Sequence, residues 1–105
     1  MTMTEAEEQA KFVRWAKREG LFVRKVESVG TKGFPDLFVG NPHNERHMLV
    51  EMKAADGRES AHQKQTIKFL RSCGVHVAVC WSYEQAVAAA DAYLRGPVHL
   101  GRFGA

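Results

Sequence analysis

Gly33-Phe34-Pro35-Asp36-Leu37-Phe38-Val39, followed after a polar stretch by His47-Met48-Leu49-Val50-Glu51-Met52-Lys53, is the part of the chain whose reading decides the fold. Pro35 fixes its own φ and Gly33 permits a sharp approach, so Asp36 enters the apolar run at its first position. From His47 the residues alternate with period two. That predicts a strand with Leu49, Glu51 and Lys53 on one face and Met48, Val50 and Met52 on the other. Pairing the two strands as a hairpin around the polar residues 40–46 makes Asp36 and Glu51 converge. Two carboxylates brought together need a counter-ion, and a hard divalent cation such as Mg2+ prefers oxygen ligands of this kind.

Outward from this hairpin the chain reads as α-β-β-β-α-β-α. A first helix is predicted over residues 4–18, capped by Thr4 with Glu7 at the capping-box position, ended by Gly20, and turning Ala6, Ala10, Val13 and Ala16 inward. Residues 21–29 read as a strand leading into a Gly-rich turn, and with the hairpin they make a three-strand meander. After the turn pair Asp56-Gly57, Ser60 opens a second helix that runs through Cys73 and is closed by Gly74. Residues 75–81 form a nearly unbroken apolar strand, so burial on both faces and parallel pairing with the preceding strand are expected. Ser82 caps a last, alanine-rich helix ending near Arg95. Gly96-Pro97 follows it and opens a short C-terminal tail, residues 96–105, of which 98–105 carry no clear signal, and the expected organisation is one α/β domain with a core over about residues 4–95, a mixed central sheet flanked by helices.

The 105 residues suffice for a single core without staples. Cys73 and Cys80 have no metal-like spacing and read as reduced core residues of a cytoplasmic protein. The acidic start, Glu5-Ala6-Glu7-Glu8, is unlike a signal segment, and no apolar run approaches the ~20 residues that span a bilayer. Fifteen basic against twelve acidic residues give a net charge of +3, a mild excess. Its distribution says more: Lys11, Arg14 and Arg18 share one side of the first helix, and Lys64, Lys68 and Arg71 one side of the second. Each stripe is read either as a solvated helix face or as a contact for a polyanion.

Asp36, Glu51 and Lys53 are the set that metal-assisted phosphodiester hydrolysis requires. A divalent ion neutralises the phosphate and activates water, while Lys53 orients or deprotonates that water and offsets charge at phosphorus. The Met52 backbone carbonyl lies between the two functional side chains and is an acceptable Mg2+ ligand. The competing reading is an exposed strand face with an ordinary Glu and Lys pair. The five histidines share no metal-ligand spacing, so zinc is not expected.

This order of elements, with Asp36 and Glu51-x-Lys53 on adjacent strands between two helices, resembles the PD-(D/E)XK nuclease superfamily. Within it the chain is similar to a stand-alone VRR-NUC domain, as found in small bacterial and phage proteins and fused to other domains in larger repair nucleases. The resemblance covers roughly residues 4–94. It rests on Thr4-Glu5 with Gln9, on Gly33-Phe34-Pro35-Asp36, on Glu51-Met52-Lys53, and on residues 57–63 and 74–80. It implies an endonuclease in which Asp36 and Glu51 bind Mg2+ or Mn2+ and Lys53 assists the water. It also implies that a first-helix glutamate completes the site, directly or through water. Glu5 matches the family pattern, with Glu8 the alternative; a first-turn glutamate that complements the helix dipole explains Glu5 equally on spacing alone. Gln63 matches a family glutamine placed near the reacting water or phosphate. The sequence also makes Gln63 the capping-box partner of Ser60, although its phase with Ile67 and Leu70 turns it toward the sheet.

Arg24 and Lys32 flank the expected site, and with Lys64 and Lys68 they are the candidate phosphate contacts, ordinary surface charge being the alternative for each. The expected activity is structure-selective cleavage of branched DNA such as Holliday junctions, flaps or splayed arms, with a homodimer presenting two sites to a symmetric junction. A nucleic-acid-binding module that keeps the nuclease fold without turnover is the competing function.

Overall fold

Thr4 starts the first helix through a reciprocal cap. Its hydroxyl accepts from Glu7 N at 3.1 Å while the Glu7 carboxylate accepts from Thr4 N at 3.0 Å. In this computed structural model, which describes residues 3–27 and 33–96, α1 spans Glu5–Arg18, followed by β1 (Phe22–Lys25), β2 (Leu37–Gly40), β3 (His47–Met52), α2 (Ala61–Ser72), β4 (Val77–Cys80) and α3 (Tyr83–Arg95). The α/β order α-β-β-β-α-β-α expected from the sequence is the order found.

The strands lie in the sheet as β1-β2-β3-β4, the first three antiparallel and the last parallel to β3. Such a parallel return needs a crossover, which α2 supplies. Two cores result, one on each side of the sheet. The larger joins Phe12, Trp15 and Ala16 of α1 and Ala86, Ala90 and Leu94 of α3 to Leu37, Val39, Met48, Val50, Met52 and Cys80. The smaller sets Ile67 of α2 against Leu49 and Val77, with Phe34, Phe38 and Val79 around them. The alternation predicted for β3 is therefore the division between the two cores.

Three local expectations are corrected. On α1, Ala6 and Ala10 are exposed and Val13 only half-buried, because the helix turns its two large rings inward: Phe12 and Trp15 stack at 5.7 Å and bury far more apolar surface than alanine could. Cys73 is exposed at the C-cap of α2 rather than in the core, while Cys80 is buried, which pushes its thiol up to about 11. The first strand is shorter than read, Phe22–Lys25, and the later part of the predicted segment, like the tail from residue 97, falls outside the described residues. Among the described residues no helix is long and apolar enough to cross a membrane.

The β2–β3 connection is fastened at the end of the sheet remote from Asp36. Asn41 Nδ2 and Asn44 Nδ2 both donate to Leu94 O, at 2.8 and 2.7 Å, and Arg46 donates to Tyr93 O at 2.8 Å. These side chains satisfy carbonyls in the last turn of α3, which have no partners within the helix.

Candidate active site

The antiparallel register pairs Leu37 with Val50 and Phe38 with Leu49. Continued by one residue, it sets Asp36 opposite Glu51, on the face that carries the smaller core. Asp36 Oδ2 accepts from Met52 N at 3.4 Å, which ties the bend before β2 to the end of β3. The Met52 side chain is fully buried in the larger core. Lys53 N donates to Cys80 O at 2.8 Å, so the parallel ladder reaches one residue past β3 and fixes where the Lys53 stem leaves the backbone.

Glu51 and Lys53 are not on a solvated strand face, the competing reading of that pair. They are 3% and 9% exposed, and a buried charge is costly unless compensated. Compensation comes from the first turn of α2. Gln63 Nε2 donates to Glu51 Oε2 at 3.1 Å, Lys53 Nζ donates to Gln63 Oε1 at 2.5 Å, and Lys53 Nζ stands 3.4 Å from Glu51 Oε2. Gln63 is at once the capping-box partner of Ser60 and turned toward the sheet. Gln63 Oε1 also accepts from Ser60 N at 3.1 Å while Ser60 Oγ accepts from Gln63 N at 3.1 Å, so the capping box orients the amide toward the sheet.

Gly33 makes this docking of α2 feasible, a role the sequence reading missed. Its φ is +81°, and a Cβ built there would stand 2.7 Å from Gln63 N and 2.8 Å from Gln63 Cα. The loop before Asp36 thus passes directly against the first turn of α2, at a distance only glycine tolerates. The sequence signal was Gly33 itself, read as permitting a sharp approach of the chain to Asp36 rather than a close contact with α2. Ahead of α2, Trp81 Nε1 donates to Gly57 O at 2.8 Å and holds the connection between Lys53 and Ser60.

One oxygen is left over. Glu51 Oε1 is buried without a hydrogen-bond partner among the described residues. Burial first, then the charge of Asp36, push the Glu51 carboxyl up to about 7; Lys53 opposes this and Glu5 adds a smaller push. A partnerless carboxylate oxygen beside a second carboxylate is the environment a cation relieves, and it is the observation on which the fit of a metal rests. Among the described residues no three His, Cys, Asp or Glu side chains form a closed metal cage, so the pair is open. Magnesium sites commonly have this form, with one or two carboxylates and the remaining positions left to water and phosphate.

The other predicted residues are distributed as follows. Glu5 is the first residue of α1, exposed, and close enough for its charge to act on Glu51. Glu8 is engaged elsewhere, its Oε2 accepting from Tyr83 N at the start of α3. Arg24 is exposed on β1, its guanidinium 5.8 Å from the Phe22 ring. Lys64 and Lys68 are exposed on α2, and Lys32 lies outside the described residues.

The model of the VRR-NUC domain matches residues 4–84, which contain every element from α1 to the start of α3. The chain belongs to the VRR-NUC domain family. Two solved structures share its fold. One, of a VRR-NUC domain, is 27% identical, with a TM-score of 0.76 over 87% of this chain and 99% of its own. The other, of a VRR-NUC domain protein, is 19% identical with a TM-score of 0.75, covering 92% of this chain and 93% of its own. No curated protein matches the chain. The family is a nuclease family, consistent with the PD-(D/E)XK superfamily, and its fold places Asp36, Glu51 and Lys53 at one end of the sheet.

Proposed function

We propose that this VRR-NUC domain is a metal-dependent DNA endonuclease selective for structure rather than sequence, acting on branched DNA such as Holliday junctions or flaps. The observation that carries the reading is the buried, partnerless Oε1 of Glu51 beside Asp36, with the Lys53 ammonium next to it. Asp36 and Glu51 would hold Mg2+ or Mn2+, with the Met52 carbonyl and Glu5 as further oxygen donors. When bound, such a cation neutralises the scissile phosphate and makes water acidic enough to serve as the nucleophile.

The remaining work falls to the chain's own residues. Lys53 keeps positive charge where negative charge grows on phosphorus and directs an N–H toward the attacking water. Gln63 positions Lys53: its amide oxygen holds the ammonium while its amide nitrogen holds Glu51, so both groups are oriented before substrate arrives. Arg24, Lys64 and Lys68 contact backbone phosphates without reading bases, which leaves shape and deformability of the DNA to set preference. Two copies of the chain would present two such sites to the two strands of a symmetric junction.

The test is cleavage of labelled four-way junction, flap, single-stranded and linear duplex DNA with Mg2+ or Mn2+, by wild type and Glu51→Ala. The expected result is cutting of branched substrates that disappears in the variant and in chelator. Retention of DNA with no cutting of any substrate would replace the enzyme by a binding module of the same fold.

A further inference from the structure

The second helix carries more than Gln63. From Ala61 to Ser72 it contains no acidic residue, while Lys64, Lys68 and Arg71 give it three permanent positive charges. Phe69 stands out from it 70% exposed, the most exposed large apolar side chain among the described residues. A ring exposed singly needs no partner, but one that borders two clefts of different chemistry offers a built surface. Phe69 lines two adjoining clefts. One, of about 590 Å³, has Lys64 and Lys68 on its wall; the other, of about 310 Å³, is apolar and floored by Phe34 and Leu70. Cations on one side of an aromatic ring and apolar surface on the other match the two halves of a nucleotide, phosphate and base.

We propose that this face of α2 is a docking surface for an unpaired DNA strand, with a base stacked on Phe69 and the adjacent phosphates held by Lys64 and Lys68. The proposal rests on the nuclease reading above and adds the form of substrate it takes. In a paired duplex the faces of the bases are covered by their neighbours, so a stacking ring selects bases that have left the helix. The position suits the candidate site. Phe69 is six residues beyond Gln63, about 9 Å along the helix at ~1.5 Å per residue. That rise alone is two to three nucleotides at the ~3.4 Å spacing of a stacked strand, and the turn of roughly 120° around the helix between the two residues adds to it. A second copy of the chain is the less suitable occupant. A two-fold contact through this face would bring Lys64 and Lys68 against the same lysines of the second copy, with no carboxylate on the helix to offset them.

The experiment is fluorescence anisotropy in chelator, so that nothing is cut, with a labelled oligothymidylate, a splayed-arm duplex and a blunt duplex. Wild type, Phe69→Ala, Phe69→Leu and Phe69→Trp are compared, with sedimentation velocity on each. The expected result is that Phe69→Ala and Phe69→Leu lose about tenfold in affinity for the oligothymidylate and splayed arm, little for the blunt duplex, and that Phe69→Trp restores it. Unchanged binding by Phe69→Ala, restoration by Phe69→Leu, or an equal loss on the blunt duplex would overturn the stacking platform. So would an oligomer that dissociates in Phe69→Ala with DNA affinity intact, which would assign the face to a second copy. A wild type that cuts DNA in a Glu51-dependent way but is indifferent to Phe69 sinks this proposal alone. A wild type that binds none of the three DNAs overturns the nuclease reading and this one together.

Discussion

Glu51 is held in the fold at a cost to stability. Its carboxyl is raised from its ordinary 4.5 to about 7, so the protonated form is the one the fold favours. A raised pKa contributes stability that is fully present below about pH 4.5 and is lost as pH rises through 7. The penalty on the ionised form is therefore complete at pH 8, on the order of 3 kcal/mol. Glu51→Gln, neutral and nearly isosteric, should raise Tm at pH 8 without metal and leave it unchanged near pH 4, as thermal denaturation at the two pH values would show. Because a cation requires the ionised carboxylate, metal affinity of the wild type should rise from pH 6 to pH 8 with proton release on binding. A flat pH profile with no proton release would count against Glu51 as a ligand. The residue types and spacing of this site were legible in the sequence, since a strand's period of two puts Glu51 and Lys53 on one face. Their burial was not, because it depends on α2 lying over them, which no local pattern encodes.

The first turn of α2 is the element on which the site's order depends. Ser60 caps it, Gln63 reaches from it to both Glu51 and Lys53, and Gly33 passes against it. Gly33→Ala combines an unfavourable φ with a Cβ in contact with the Gln63 backbone, so the loop and the helix must separate. A loss of about 1–3 kcal/mol is expected, together with lower cleavage, by chemical denaturation and kinetics on the same variant. Ser60→Ala removes only the cap and should cost about 1 kcal/mol while cleavage falls less than in Gly33→Ala. Both caps of α1 and α2 could be read directly from Thr4-x-x-Glu7 and Ser60-x-x-Gln63. The buried face of α1 could not: four small apolar residues suggested one stripe, and the two aromatic rings at Phe12 and Trp15 determined another.

Across the whole molecule, stability and chemistry are separated along the strands. At one end of the β2–β3 hairpin Asn41, Asn44 and Arg46 fasten the connection to the last turn of α3; at the other Asp36 and Glu51 meet. Asn41→Ala breaks a buried hydrogen bond and leaves Leu94 O to its bond from Asn44, so it should lower stability by about 1–2 kcal/mol and leave metal affinity unchanged. The order of elements and the parallel return of β4 were legible because the apolar run of β4 follows a helix. The long-range fastening of the Asn41 loop was not, since a polar loop by sequence gives no indication of the helix end it will cap. The proposed chemistry depends on the open pair of Asp36 and Glu51 holding a divalent cation. The most direct test is calorimetric titration of Mn2+ and Mg2+ into wild type, Asp36→Asn and Glu51→Gln at pH 8. Saturable binding in the wild type that is lost in both variants is the predicted result. Binding that survives Glu51→Gln undiminished, or no binding by a folded wild type, would contradict it.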